Sequence, residues 1–252
     1  MNDLRVLKVG GNELDDAARV QRLVAALAAE AGAGGRLVLV HGGGKEVSAV
    51  QRLLGAEPVW HEGLRVTTPE VLMALRMVLS GLVNKRLVAA LLSAGVDALG
   101  LSGEDGALIR ARVGRGGALG RVGEVERVRG ELLRRLLEAG VLPVVSPVSR
   151  GEDGEPLNVN ADDAAAAVAE ALGAAELLLV SNVPGVLHAG AVLPSLAAAE
   201  VEALIADGVA TGGMAPKLRA AARTVAAGVG AVRIGGLEML ADPAAGTRIY
   251  AG

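Results

Sequence analysis

The chain has no cysteine and no phenylalanine, and aromatic side chains make up 1% of its 252 residues, with one Trp (Trp60) and one Tyr (Tyr250). Without cysteine there can be no disulfide, no thiolate metal site and no cysteine nucleophile. The three histidines, His41, His61 and His188, are far apart and lack ligand spacing, which argues against a zinc centre. A formal net charge of −3 leaves no footprint for nucleic acid. Long uncharged apolar runs are missing too: the stretch 164–180 is broken by Glu170 and Glu176. Neither a membrane span nor a secretory signal is therefore expected, and the chain reads as cytoplasmic.

Lysine is also scarce. Of 25 basic residues, four are lysines: Lys8, Lys45, Lys85 and Lys217. Where composition favours arginine, lysine is kept for sites that need a compact, flexible ammonium that a planar guanidinium cannot imitate. All four positions are thereby marked before any motif is considered.

What the chain does have is 52% hydrophobic residues and 36 glycines. A core built without phenylalanine from Leu, Val, Ile and Ala suits helices packed closely on a parallel sheet. Apolar runs at 4–9 and 36–40 end in Gly10-Gly11 and in His41-Gly42-Gly43-Gly44, and helical patterns follow at 19–31 and up to 54. Strand, glycines and helix, repeated, predict βαβ units. Residues 57–66 read as a short hairpin, and Pro69 suits the first turn of a long helix reaching about residue 94. A strand at 96–101 precedes a Gly/Arg-rich stretch, 108–128, read as surface hairpins. A helix at 131–139, a strand at 141–146 and a polar loop at 150–155 lead to an Ala-rich helix ending near 172. Beyond Gly173 the pattern restarts with a strand at 177–180, helices at 197–206 and 216–227, and a strand at 231–234. The expected division is an N-terminal lobe, 1–172, and a C-terminal lobe, 173–252.

Glycines at the carboxyl ends of parallel strands let backbone N–H groups approach an anion, and a helix N-terminus beyond them favours negative charge. Neither GxxxxGK[ST] nor a strand-to-helix GxGxxG occurs, which disfavours an ordinary P-loop ATPase or a Rossmann dehydrogenase. Six segments together are far more specific: LKVGG (7–11), VHGGG (40–44), GLRVT (63–67), NVNADDAA (158–165), SNVPGV (181–186) and GGMAPK (212–217). In this order and spacing, over essentially the whole chain, they resemble the amino acid kinase family, and within it the branch that phosphorylates N-acetyl-L-glutamate.

The resemblance implies an α/β fold, a three-layer αβα sandwich around a mostly parallel sheet of about eight strands. The acyl acceptor would sit in the N-terminal lobe and MgATP in the C-terminal one. Lys8 and Lys217 look like the lysines that neutralise the transferring phosphoryl group, with Asp162 orienting both. Gly11 and Gly44 would donate backbone N–H bonds to phosphoryl oxygens, and Gly43 with Gly44 would line the acceptor site. Arg65 resembles the clamp for the acceptor's α-carboxylate, and Asn158 a second contact to that ligand. Asn182, Val183, Pro184, Gly185, Val186 and Leu187, with Val209, Ala210 and Thr211, would flank adenine and ribose. Many relatives carry Asp at position 182, so Asn182 departs from the pattern. No protein metal ligand is implied. The short segment before residue 4 lacks the helix of arginine-inhibited hexameric relatives, which implies a homodimer without arginine feedback.

The residues agree with this chemistry. A side-chain carboxylate has an unperturbed pKa near ~4.3, so the acceptor is already an ionised nucleophile at neutral pH and needs no general base. The obstacle is repulsion between carboxylate and phosphate, which lysines, Mg²⁺ and glycine N–H groups offset. Lys8 ends a buried-looking strand, where an unpaired ammonium is costly. Lys217 stands near a helix start, where the dipole disfavours cations. Asp162, taken alone, reads better as the N-cap of the Ala-rich helix, and only the flanking motif turns the reading to function. Lys45 reads as near the acceptor rim, Lys85 as a solvated or packing position, and His41 as a hydrogen-bonded turn residue. Two alternatives stay open: a kinase for an amino acid held on an acidic [LysW]-type carrier protein, which the segments GLVNKRLV (81–88), GLSGEDG (100–106) and SNVPG (181–185) also resemble, and a catalytically silent amino-acid sensor. The first would use a basic docking surface, for which Arg110, Arg112, Arg115, Arg121, Arg127 and Arg129 are candidates.

Overall fold

The computed structural model describes residues 4–211 and 213–252. Gly212 of the GGMAPK segment and the residues ahead of Leu4, on which the expectation of a missing N-terminal helix rests, lie outside the described residues.

The strands are β1 (Arg5–Val9), β2 (Leu37–His41), β3 (Trp60–His61), β4 (Leu64–Arg65), β5 (Ala98–Gly103), β6 (Ile109–Val113), β7 (Val122–Val128), β8 (Leu142–Gly151), β9 (Pro156–Val159), β10 (Glu176–Val180), β11 (Leu187–His188), β12 (Ala191–Val192), β13 (Ser195–Ala197), β14 (Val232–Gly235) and β15 (Thr247–Tyr250). The α-helices are α1 (Gly11–Leu14), α2 (Ala17–Gly32), α3 (Gly44–Leu53), α4 (Pro69–Leu75), α5 (Asn84–Ser93), α6 (Gly130–Glu138), α7 (Ala161–Leu172), α8 (Val201–Ala206) and α9 (Met214–Ala226). Between α4 and α5 the helix continues as a π-helical segment, Arg76–Val83, so the long helix expected from Pro69 onward is one continuous rod capped by Thr68.

Eight strands run β5-β8-β2-β1-β10-β14-β15-β13, parallel as far as β14, with β15 and β13 reversed. Side chains alternate strictly between two layers. On β1, β2 and β10, Val6, Val38, Val40, Leu177 and Leu179 pack with α6, α7 and α9, whereas Leu7, Leu37, Leu39, Leu178 and Val180 pack with α2 and α5. A sheet buried on both faces reads as continuous apolar runs, which is why these strands were legible. Ala164, Ala165 and Ala169 of α7 are fully buried, and their small size lets that helix lie close to the sheet.

The sheet has eleven strands in all, and the additional three correct the reading of 108–128 as surface hairpins. β6 extends along the far half of β8, β7 pairs with β6, and β9 pairs with both β7 and β8, so the four close on one another. Leu108, Ile109, Ala111, Val122 and Leu157 fill their interior. The alternating arginines, Arg110 and Arg112, face outward and disguise the buried positions between them. The expected polar loop also starts later, because Arg150 and Gly151 still belong to β8.

Candidate active site

Parity on β1 decides where Lys8 points. Two residues after Val6, it shares the face covered by α7 and α9. There its Nζ lies 2.7 Å from Asp162 Oδ1, and Lys217 Nζ, from the first turn of α9, donates to Asp162 Oδ2 at 2.8 Å. One carboxylate thus bridges two ammonium groups, and the nearer of them in sequence, Lys217, comes from 55 residues away. Burial by itself would raise the Asp162 carboxyl, but Lys8 and Lys217 outweigh it and hold the group at about 2. The helix cap is supplied instead by Asn160, whose Oδ1 accepts from the Asp162 amide at 2.8 Å and from the Asp163 amide at 3.4 Å. That removes the reading of Asp162 as the N-cap and leaves its carboxylate for the lysines.

Two glycine corners face this triad. A β-carbon on Gly10 would sit 3.4 Å from Lys8 Nζ, and one on Gly11 would sit 3.5 Å from the Gly44 amide nitrogen. The start of α1 therefore abuts the start of α3. Gly43, which leads into α3, has φ +155°, and a β-carbon there would meet Leu79 Cδ2 at 2.8 Å. Lys8, Gly10, Gly11, Gly44, Asn182 and Lys217 line one cavity of about 370 Å³, together with Glu13, Lys45, Ser48, Trp60, Val180 and Ser181. Cationic ammonium groups and helix-start amides around one space make a receptor for a highly charged anion.

Arg65 stands beside this cavity. Its Nη1 donates to Gln51 Oε1 at 2.7 Å, and its Nη2 donates to Gly44 O at 2.9 Å and to Ser48 Oγ at 2.8 Å. Its Cζ lies 4.3 Å from the centre of the Trp60 ring. It is only 4% exposed, and every one of these partners is neutral. Burial, with Arg52 adding to it, pulls the guanidinium below its usual pKa. A buried cation among neutral acceptors is the environment of a group that waits for an anionic ligand. Asn158 reaches the same corner indirectly: its Nδ2 donates to Thr67 Oγ1 at 2.9 Å, and that hydroxyl donates to Arg65 O at 2.8 Å.

The remaining candidates are more dispersed. Val183 and Pro184 line a neighbouring cavity of about 580 Å³ that shares Glu13, Ser181 and Asn182 with the first. Gly185 packs on Val192 and Thr247, Val186 is buried with its amide bonded to Thr247 Oγ1, and Leu187 is exposed on the β11–β12 hairpin. Val209, Ala210 and Thr211 form the turn between α8 and α9, with Ala210 buried. They line neither cavity among the described residues. Lys45 lies on the cavity rim and pairs with Asp15. Lys85 bonds Asn84 Oδ1 and Gly100 O at 3.0 Å each. His41 ends β2 rather than occupying a turn, and it is fully buried.

Sequence reasoning missed Trp60, Ser48, Gln51 and Asn160. The first three converge only through the β3–β4 hairpin. Asn160 had a signal, since Asn followed by two acidic residues at the start of an Ala-rich helix is a capping pattern.

Residues 3–236 match the model of the amino acid kinase family. An acetylglutamate kinase from Roseiflexus sp. (strain RS-1) is 54% identical over 240 residues, covering 93% of this chain and 89% of that protein. The acetylglutamate kinase of Chloroflexus aurantiacus (strain ATCC 29366 / DSM 635 / J-10-fl) is 51% identical over 255 residues, covering 100% and 98%. Among solved structures, smu.665 from Streptococcus mutans UA159 superposes with a TM-score of 0.87 at 34% identity, with 100% of each chain covered.

Proposed function

The chain belongs to the amino acid kinase family, and we propose that the Lys8–Asp162–Lys217 triad and the two glycine corners are its phosphoryl-transfer site. Its reaction is the ATP-dependent phosphorylation of the side-chain carboxylate of N-acetyl-L-glutamate, a step of arginine biosynthesis. A carboxylate oxygen attacks the γ-phosphorus of ATP, the bond to the β-phosphate oxygen breaks, and acyl phosphate and ADP leave. The nucleophile is already ionised, so the protein contributes position and positive charge rather than a base.

The observation that carries the assignment of roles is the shared carboxylate. Asp162 holds two ammonium groups within one cavity beside the Gly11 and Gly44 helix starts. Lys8 and Lys217 would neutralise the oxygens of the transferring group, and the Gly11 and Gly44 amides would receive them. Arg65 would take the acceptor's α-carboxylate, with Gly43, Gly44 and Asn158 shaping that subsite. Asn182–Leu187 and Val209–Thr211 would flank the nucleotide, so that acceptor and nucleotide divide between segments 1–172 and 173–252.

Mg²⁺ fits this site as a passenger on ATP. Among the described residues no three His, Asp or Glu side chains gather as a metal cage, and both Asp162 oxygens face lysines. The ion would be held by the nucleotide phosphates and would supply further charge neutralisation there.

The working unit in this reading is a cytoplasmic homodimer. Support comes from the face along the α4–π segment, where Met73 and Met77 are half exposed beside Ser102 of the edge strand β5. No helix of the described residues is long and apolar enough to cross a membrane. The deciding experiment traps acyl phosphate as hydroxamate, with MgATP and N-acetylglutamate and no partner protein, at low and high salt. Ordinary turnover is expected in both. Activity that appears only on adding an acidic carrier protein would overturn the free-substrate reading.

A further inference from the structure

The segment GLVNKRLV has no role in the chemistry above, yet its side chains reach both glycine corners from behind. Asn84, fully buried at the start of α5, donates from Nδ2 to Val144 O at 2.9 Å and to His41 Nε2 at 3.0 Å. A carbonyl at one end of the amide and the Lys85 ammonium at the other, 3.0 Å from Oδ1, settle which atom is nitrogen. Nε2 of His41 is therefore an acceptor and the imidazole proton sits on Nδ1, 2.9 Å from Gly42 O. Lys85 also binds Gly100 O, so the first turn of α5 is tied to β2, β5 and β8 together.

From that platform Arg86 projects the other way. A single nitrogen, Nη2, donates to Glu46 Oε1 at 2.8 Å and to Leu14 O at 3.1 Å. Glu46 is the third residue of α3 and Leu14 the last of α1. Arg86 thus clasps the first turn of α3 to the last residue of α1, the two elements whose starts, Gly44 and Gly11, abut at the cavity. The other Glu46 oxygen, Oε2, is buried and has no hydrogen-bond partner, and it lies 3.8 Å from where a β-carbon on Gly43 would be. Without Arg86, an uncompensated carboxylate would stand beside the loop that receives phosphate.

We propose that Arg86 is a positioning residue for phosphoryl transfer: acting through Glu46 and the Leu14 carbonyl, it sets the spacing of the Gly11 and Gly44 amides and cancels the Glu46 charge. This rests on the phosphoryl-transfer reading of the cavity. A displacement of the receiving amides by a fraction of an ångström is felt in the transition state more than in ground-state binding.

The test is steady-state kinetics of Arg86→Gln, Glu46→Gln and the double variant, with thermal unfolding of each. For Arg86→Gln, kcat is expected to fall on the order of 10- to 100-fold, with both KM values within about threefold of wild type. Because the pair is partly solvent-exposed, Tm should move by less than about 4 °C. The double variant should lose no more than Arg86→Gln alone, since both act through one contact. An unchanged kcat with a lowered Tm, or losses that multiply in the double variant, would overturn the proposal. Should Arg86→Gln fail to fold, Glu46→Gln decides: a lowered kcat supports the clasp and an unchanged one refutes it. A wild-type protein that makes no acyl phosphate would instead sink the reading of the cavity itself.

Discussion

Asn160 caps helix α7 through the amide of Asp162, at 2.8 Å, and this leaves the Asp162 carboxylate to two lysines. Cap and bridge sit two residues apart, so the helix start and the charge cluster are one rigid unit. Substituting the bridge should disable turnover and spare the fold. Asp162→Asn, Lys8→Ala and Lys217→Ala are each expected to lower kcat on the order of 100- to 1000-fold, as for loss of one preorganised transition-state donor. Lys→Arg at either position should not restore it, because a planar fork does not fit the volume of an ammonium. Turnover of Lys217→Ala within a few-fold of wild type would contradict the two-lysine site.

Arg65 is buried among neutral partners, and its contact to the acceptor would exist before the transition state. Arg65→Ala should therefore raise the KM for N-acetylglutamate and leave the KM for ATP near wild type. A large loss of kcat at unchanged acceptor KM would place Arg65 elsewhere in the reaction.

Burial holds the His41 imidazole down at about 4, against 6.5 for the free group; the Gly42 carbonyl bond opposes the shift, and Arg86 and Lys85 add to it. Between those values the unfolded chain binds the proton and the folded chain does not. Stability from this group is thus complete above pH 6.5 and is lost as pH falls to about 4, by roughly 3 kcal/mol. Asp162, also lowered, adds a second loss between 3.8 and about 2. Urea unfolding from pH 7 to 4 should show the first slope, and His41→Gln should flatten it. The same slope in the variant would assign it to other groups.

Gly43→Ala tests the cradle. The φ of +155° and the Leu79 methyl at 2.8 Å both oppose a β-carbon. A loss of about 1–3 kcal/mol in stability is expected, with a lowered kcat because Gly44 shifts. Leu79→Ala in that background should recover part of the lost activity by removing the clash. No recovery would mean that backbone strain dominates.

Met77→Glu tests the proposed dimer face, where an unpaired charge would be buried between copies. Light scattering should show a dimer for the wild type and a monomer for the variant. A wild-type monomer, or a hexamer, would refute the assignment.

The amino-acid order alone determined the layered core, because a parallel sheet covered on both faces leaves uninterrupted apolar runs at 4–9, 36–40 and 177–180. It also marked the glycine corners and singled out Lys8 and Lys217, since a rare ammonium at a strand end or a helix start is explained poorly by packing. What it could not reveal were relationships made by closure. The β6–β7 segment reads as polar because its arginines alternate with buried residues, and only pairing with β8 and β9 identifies the inner face. Whether Asp162 caps a helix or bridges two lysines depends on Lys217 arriving from 55 residues away. The Arg86 clasp spans 40 residues to Glu46 and 72 to Leu14. Local pattern encodes which face a side chain takes, but long-range packing alone selects the atom it meets there.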